Sequence, residues 1–364
     1  MEDSALPAPR GPDRLPDPGP ALARVVGDAA LGLTWRLVHA SLKDPYVEGG
    51  PGEPLTRLYY TTADGWRAPI YLVPAAPGTT GEPVLVAHGL GGNHLDFALR
   101  GDRSLAGALS AAGFSVYLLE HRGDRSALPP EAAAPFTLDD IATHDLDAAL
   151  DAVREHSGYE RVIALGHGLG AQALYLRLAL HGSDGIAALV ALCGAVRFSA
   201  GVSATRNAGL VAALLPPGWI LPGRRLQQLA SPFVVSGEQI ASPDTPGAVA
   251  RARLRYASGD LHGGLVRQMA RWVSQGALTD TTGRLDVVAA LPRFPAFVAA
   301  GTEDPSCPPS AAAPAADALG TSLATFSGGH LDPLLGEQTR TELFGRLRPL
   351  DRKSTRLNSS HLVI

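Results

Sequence analysis

The sequence predicts an α/β protein: a mostly parallel central sheet flanked by helices, with a helical cap inserted between two strands. Three observations predict it. Short apolar runs alternate with helical patterns, which implies a parallel sheet covered on both faces. The alternation stops from about residue 198 to 288, where helical pieces and Pro/Gly turns carry no strand series, and resumes at 295. Before the break, Arg161–Ala171 reads as strand, sharp glycine turn and helix.

The elements follow in order. Leu55 to Thr62 and Ala68 to Val73 read as two strands joined through Ala63-Asp64-Gly65, a hairpin signal. Val84 to His88 is a short strand of the buried type, followed by a helix over Leu95 to Ala112 and a strand over Phe114 to Leu119. Thr137 can cap a helix whose first turn holds Asp139 and Asp140, which favour the positive end of the macrodipole. That helix keeps Leu146, Leu150 and Val153 on one face. Arg161 to Leu165 is a strand, Leu169 to His181 a helix, and Ile186 to Leu192 a strand. After the cap come a strand at Pro295 to Ala300, a helix near Pro314 to Leu319, a strand at Ser322 to Phe326 and a helix at Pro333 to Leu347.

The domain reading is therefore a core of residues 21–197 and 289–350, with residues 198–288 as the cap. Residues 1–20 are rich in Pro, Gly and charge and are expected to form a disordered tail. Asp351-Arg-Lys-Ser-Thr-Arg-Leu-Asn-Ser-Ser-His361 resembles the translation of a common sequencing adapter, so residues 351–364 are set aside as read-through. Arg-Gly-Asp-Arg-Ser occurs at 100–104 and 122–126, too short for a structural repeat and not expected to serve adhesion.

Bulk properties exclude several functions. A net charge of −4 leaves no basic footprint for nucleic acid. No apolar run reaches membrane-spanning length, and no basic stretch followed by an apolar one opens the chain. Cys193 and Cys307 make neither a disulfide framework nor a metal-ligand spacing. The expectation is a cytoplasmic protein with no cofactor and no metal, and with no firm sign of a membrane partner.

The candidate chemistry lies in four loops, each following a strand at the C-terminal edge of the sheet, where open α/β sheets bind ligands. The first is His88-Gly89-Leu90-Gly91-Gly92, whose glycines let backbone N–H groups turn toward a ligand. The second, Gly166-His167-Gly168-Leu169-Gly170, has the frame of the G-x-S-x-G nucleophile turn, with glycine in the serine slot. The third holds Asp304 in Gly301-Thr-Glu-Asp-Pro, and the fourth holds His330 after Ser327-Gly-Gly. Glu303 is a rival for the acid, and His167 is read as positioning the turn. Taken singly, Asp304 could cap a turn and His330 could be a surface histidine.

Turn, acid, histidine is the chain order of the α/β-hydrolases, and residues 55–350 resemble a protein of that fold. The closer resemblance is to bacterial esterases and lipases; a weaker one is to polyhydroxyalkanoate synthases, which carry cysteine in the turn. Thr137-Leu-Asp-Asp-Ile-Ala-Thr-His-Asp-Leu-Asp147 and Leu265-Val-Arg-Gln-Met-Ala-Arg-Trp272 are of the kind seen in that group. The resemblance implies Asp304 as acid, His330 as base, and an oxyanion hole at Gly89, Leu90 and Leu169. The nucleophile carries over to nothing, because Gly168 has no side chain. The apolar stretch Leu210 to Pro222, with Leu214, Trp219 and Ile220, is the candidate roof of an acyl pocket for a small apolar ester-like ligand or a lipid-touching patch; packing of the cap onto the sheet is the plainer reading. Three functions stay open: a hydrolase-like pocket impaired in turnover, a non-covalent enzyme using His330 and Asp304, and a non-catalytic binding or interaction module.

Overall fold

The computed structural model describes residues 55–99, 104–198 and 216–347. Leu214, the tail at 1–20 and residues 351–364 lie outside them, as does most of the first Arg-Gly-Asp-Arg-Ser copy.

Eight strands make one sheet: β1 (Thr56–Thr61), β2 (Arg67–Val73), β3 (Glu82–Ala87), β4 (Phe114–Leu119), β5 (Val162–His167), β6 (Ile186–Leu192), and, after the two short strands β7 (Ile220–Leu221) and β8 (Leu261–His262), β9 (Ala296–Gly301) and β10 (Leu323–Phe326). Their order is β1-β2-β4-β3-β5-β6-β9-β10. β1 and β2 form an antiparallel hairpin, β2 runs antiparallel to β4, and every other neighbour is parallel. The central strands are mostly apolar because helices cover both faces; all six residues of β5 are buried. β3 is followed in the chain by its neighbour on one side, β4, and then by its neighbour on the other, β5. The crevice between the ends of β3 and β5 is thus the switch point where such sheets place ligands.

Two predicted helices are each broken in two. Leu95 to Ala112 divides into Leu95–Ala98 and Leu105–Ala111, the second capped by Ser104, whose side chain accepts from the Gly107 N–H. The helix expected at 333–347 divides into Asp332–Leu335 and Gln338–Leu347, because Gly336 is extended. Thr137 caps as expected, in a reciprocal box with Asp140. The helix it opens passes through a π turn at Ile141–Asp145 before Leu146–Ser157. That turn aims Asp145 at Arg122, whose Nε donates to it at 2.8 Å and whose terminal nitrogens grip Asp64 in the β1–β2 connection at 2.6 and 2.9 Å. Arg122 is 2% exposed and so is unavailable as part of an Arg-Gly-Asp motif.

Between β6 and β9 the described chain carries helices joined by turns, with the antiparallel pair β7–β8 and two isolated bridges. This segment is tied to the sheet's loops at defined points. Arg253, on helix Gly247–Tyr256, donates to Asp96 at 3.0 Å, and both are buried. The Gly259 N–H donates to Gly91 O at 2.8 Å. Buried Asp332 accepts from Ser242, Thr245 and the Gly329 N–H, which pins the segment to the loop carrying His330.

Candidate active site

The turn after β5 is sharp because its outer glycines remove carbon where backbones touch. A Cβ on Gly166 would lie 2.5 Å from the Ala171 nitrogen, and one on Gly170 would lie 2.2 Å from Ala87 O. Gly168 sits at φ 53°, ψ −115°, a conformation that costs a residue with a Cβ about 1–3 kcal/mol. Its N–H donates to Leu192 O at 2.9 Å, and helix Leu169–His181 starts at the next residue.

Asp304 and His330 meet at this turn. His330 Nδ1–H donates to Asp304 at 2.7 Å. The acid's other oxygen accepts the N–H groups of Ser306 and Cys307 at 2.8 and 2.9 Å. Burial works against the Asp304 charge, but the His330 hydrogen bond and these two N–H groups hold its pKa below the ordinary carboxylate value. Asp304 has no exposed side-chain surface, whereas His330 is 23% exposed. With Nδ1 engaged, His330 presents Nε2 to the turn. A Cβ built on Gly168 would lie 3.2 Å from that nitrogen and 3.9 Å from Gly89 Cα. His167 holds the histidine loop from beneath, its Nε2–H donating to His330 O at 2.8 Å. Glu303 accepts from Ser327 and is not the histidine's partner.

Gly89 lies beside the turn, its Cα 3.9 Å from where a Cβ on Gly168 would sit, and Leu90 follows it in the chain. A Cβ on Gly89 would come within 3.0 Å of His167 Nδ1, so the loop needs glycine to pass there. Leu169 is the first residue of its helix, where a backbone N–H has no partner within the helix. Among the described residues, no backbone acceptor takes the N–H of Leu90 or Leu169. Ile220 pairs with His262 in the β7–β8 ribbon, and His262 Nε2–H donates to Gly123 O, so the ribbon rests on the loop after β4. Trp219, at the ribbon's start, is 40% exposed.

Sequence reasoning missed a buried network beside the glycine loop. Glu120, at the end of β4, bonds His94 through both its backbone N–H and Nδ1 and lies 3.3 Å from His88 Nε2. Burial opposes charge on Glu120 and His88. The two histidines nevertheless pull the Glu120 carboxyl well below its usual range, and Glu120 in turn raises His88. His88 Nδ1 lies 3.0 Å from Gly89 O, so the ring is fixed between its own loop and the carboxylate. His121 stacks on His88 with ring centroids 4.0 Å apart, and burial followed by the His88 charge pushes its pKa down to about 3.

A neutral buried His121 has a consequence for stability. The unfolded chain takes up this proton near pH 6.5, whereas the folded chain resists it to about 3. The contribution is intact above 6.5 and is lost as pH falls toward 3, at up to about 1.4 kcal/mol per pH unit. Urea unfolding should lose about 1–2 kcal/mol more in wild type than in His121→Asn between about pH 6.5 and 4.5.

With this geometry in place, the family is clear. The family model described as alpha/beta hydrolase fold matches residues 82–337, and the chain belongs to that family. Among solved structures, it resembles a hydrolase from Pseudomonas aeruginosa PA01 (TM-score 0.55, 20% identity, 80% of this chain and 97% of that one). It also resembles a soluble variant of monoglyceride lipase from Saccharomyces cerevisiae (TM-score 0.58, 13% identity, 84% and 97%). At these identities the likeness is one of fold. In sequence it is 29% identical to human Lipase member K over 138 residues, 34% of this chain and 35% of that protein. It is 34% identical to the poly(3-hydroxyalkanoate) polymerase subunit PhaC of Haloferax mediterranei over 88 residues, 24% of this chain and 17% of that protein. The matched segments thus span about a third and a sixth of those two relatives. Among the described residues, no helix is long and apolar enough to cross a membrane.

Proposed function

We propose that this chain keeps an esterase- or lipase-like site for a small apolar acyl ester but has lost the covalent step of serine-hydrolase turnover. The observation that carries this reading is the aim of His330: Nδ1 on Asp304, and Nε2 3.2 Å from where a side chain on residue 168 would begin. In this arrangement the Asp304–His330 pair has a base but no hydroxyl to deprotonate. The N–H groups of Leu90 and Leu169 would serve as the oxyanion donors, with Gly89 giving the loop its close approach. Trp219 and Ile220 would supply apolar contacts to the acyl chain.

A second reading draws on the same hydrogen bond. A histidine held by a buried carboxylate can act as general base on water without an acyl-enzyme. A panel of short and medium p-nitrophenyl esters separates the two. The proposed reading expects trace hydrolysis by wild type that His330→Ala leaves unchanged, together with a rise in melting temperature when slowly hydrolysed ester is present. Robust wild-type hydrolysis abolished by His330→Ala would establish the non-covalent enzyme instead. No turnover and no ligand-induced stabilisation would point to an interaction module.

A further inference from the structure

We infer that the space beside Gly168 is a metal-binding site, formed by His167, Cys193 and His330, for a zinc-class divalent transition cation. One ring nitrogen from each histidine and the Cys193 sulfur lie within 4.8 Å of one another. Zinc bonds of about 2.0–2.1 Å to nitrogen and 2.3 Å to sulfur place tetrahedral donors about 3.5 Å apart, so closing on an ion draws the longest pair in by little more than about an ångström.

The hydrogen bonds orient both imidazoles as ligands. His167 gives its Nε2–H to His330 O, which leaves Nδ1 as the lone-pair nitrogen; the ring is 1% exposed, and this buried atom has no hydrogen-bond partner. His330 gives its Nδ1–H to Asp304, which leaves Nε2 as the lone-pair nitrogen on the Gly168 side. A ligating histidine with its other nitrogen donated to a carboxylate or a carbonyl is the usual outer-shell arrangement of metal sites. Cys193 follows β6, is buried beside Asp304, and is held at φ 54°, uncommon for a residue other than glycine.

Two nitrogens and one sulfur suit zinc, cobalt(II) or copper better than magnesium or calcium, which prefer oxygen. Binding forms two metal–nitrogen bonds and one metal–sulfur bond and breaks the Cys193 S–H bond, with the proton passing to buffer. Three protein ligands leave a fourth position for water. In a family member with a serine at the turn, the hydroxyl would occupy the Nε2 side; here glycine leaves that nitrogen available. The inference rests on ligand placement and stands whether or not the ester reading holds.

Cobalt(II) titration of the chelator-treated full chain tests it. The expected result is one cobalt per chain, with tetrahedral visible bands and a thiolate-to-cobalt charge-transfer band in the near ultraviolet, all displaced by zinc. Cys193→Ser should abolish the charge-transfer band, while Cys307→Ser keeps it. Asp304→Asn, by releasing the His330 ring, should weaken binding about 10–100-fold. His181→Ala, which removes an exposed imidazole paired with Asp147, should change nothing. Absence of a charge-transfer band in wild type overturns the site even if Cys193→Ser does not fold. So does a band that survives Cys193→Ser or needs Cys307.

Discussion

Gly168→Ser is expected to raise p-nitrophenyl ester hydrolysis by about 10³-fold or more over wild type. In a serine protease, removal of the nucleophile alone costs about 10⁶ in kcat. The chain retains the other parts that would make serine effective: an Asp304–His330 hydrogen bond of 2.7 Å and Nε2 facing the turn. The gain should fall short of the full factor for a geometric reason. A Cβ at 3.2 Å from Nε2 is tight, so the His330 ring must retreat by a few tenths of an ångström, and small misplacements of reacting groups cost rate steeply. Serine at φ 53° also carries backbone strain, so the variant should be less stable by about 1–3 kcal/mol. Kinetics and thermal unfolding on the same preparation read both effects. Unchanged hydrolysis in a folded variant would show that the histidine and oxyanion donors do not converge on residue 168.

The largest stability loss is expected at Asp145. It is fully buried and accepts from both the Arg122 backbone N–H and Nε at 2.8 Å. Asp145→Ala leaves the Arg122 guanidinium buried with only Asp64 to answer it, and breaking such a pair from one side costs about 3–5 kcal/mol. Asp64→Ala should cost much less, about 1 kcal/mol, because Asp64 is 38% exposed and water can take its place. Denaturant midpoints with unchanged slopes would report the difference. Equal losses in the two variants would mean that the hairpin contact, rather than burial, sets the energy.

These two sites also mark what the sequence could disclose. The central strands are legible because strands buried on both faces read as apolar runs, and the hairpin, whose β1 is mostly exposed, is legible through its Ala63-Asp64-Gly65 turn; the observed bounds lie within about two residues of the predicted ones. Gly168, Asp304 and His330 are legible because each follows a strand that ends at the same edge, and strand order does the rest. The split of the 95–112 helix had a local signal, Ser104 placed to cap, that the apolar pattern outweighed. The Arg122–Asp145–Asp64 and Glu120–His88–His94 groups had none. Their paired side chains lie 23 to 58 residues apart along the chain, and their adjacency exists only after folding. His167, Cys193 and His330 are still more dispersed, and no ligand spacing in the sequence connects them.

Intact-mass analysis after treatment with a reactive alkyl phosphonofluoridate tests the central claim most directly. Such a probe forms a stable bond to a hydroxyl that a histidine has activated. Wild type is predicted to gain no adduct and Gly168→Ser to gain one, on residue 168, with His330→Ala in the serine background abolishing it. An adduct on the wild-type chain would contradict the account, since some other residue would then hold the nucleophile's place.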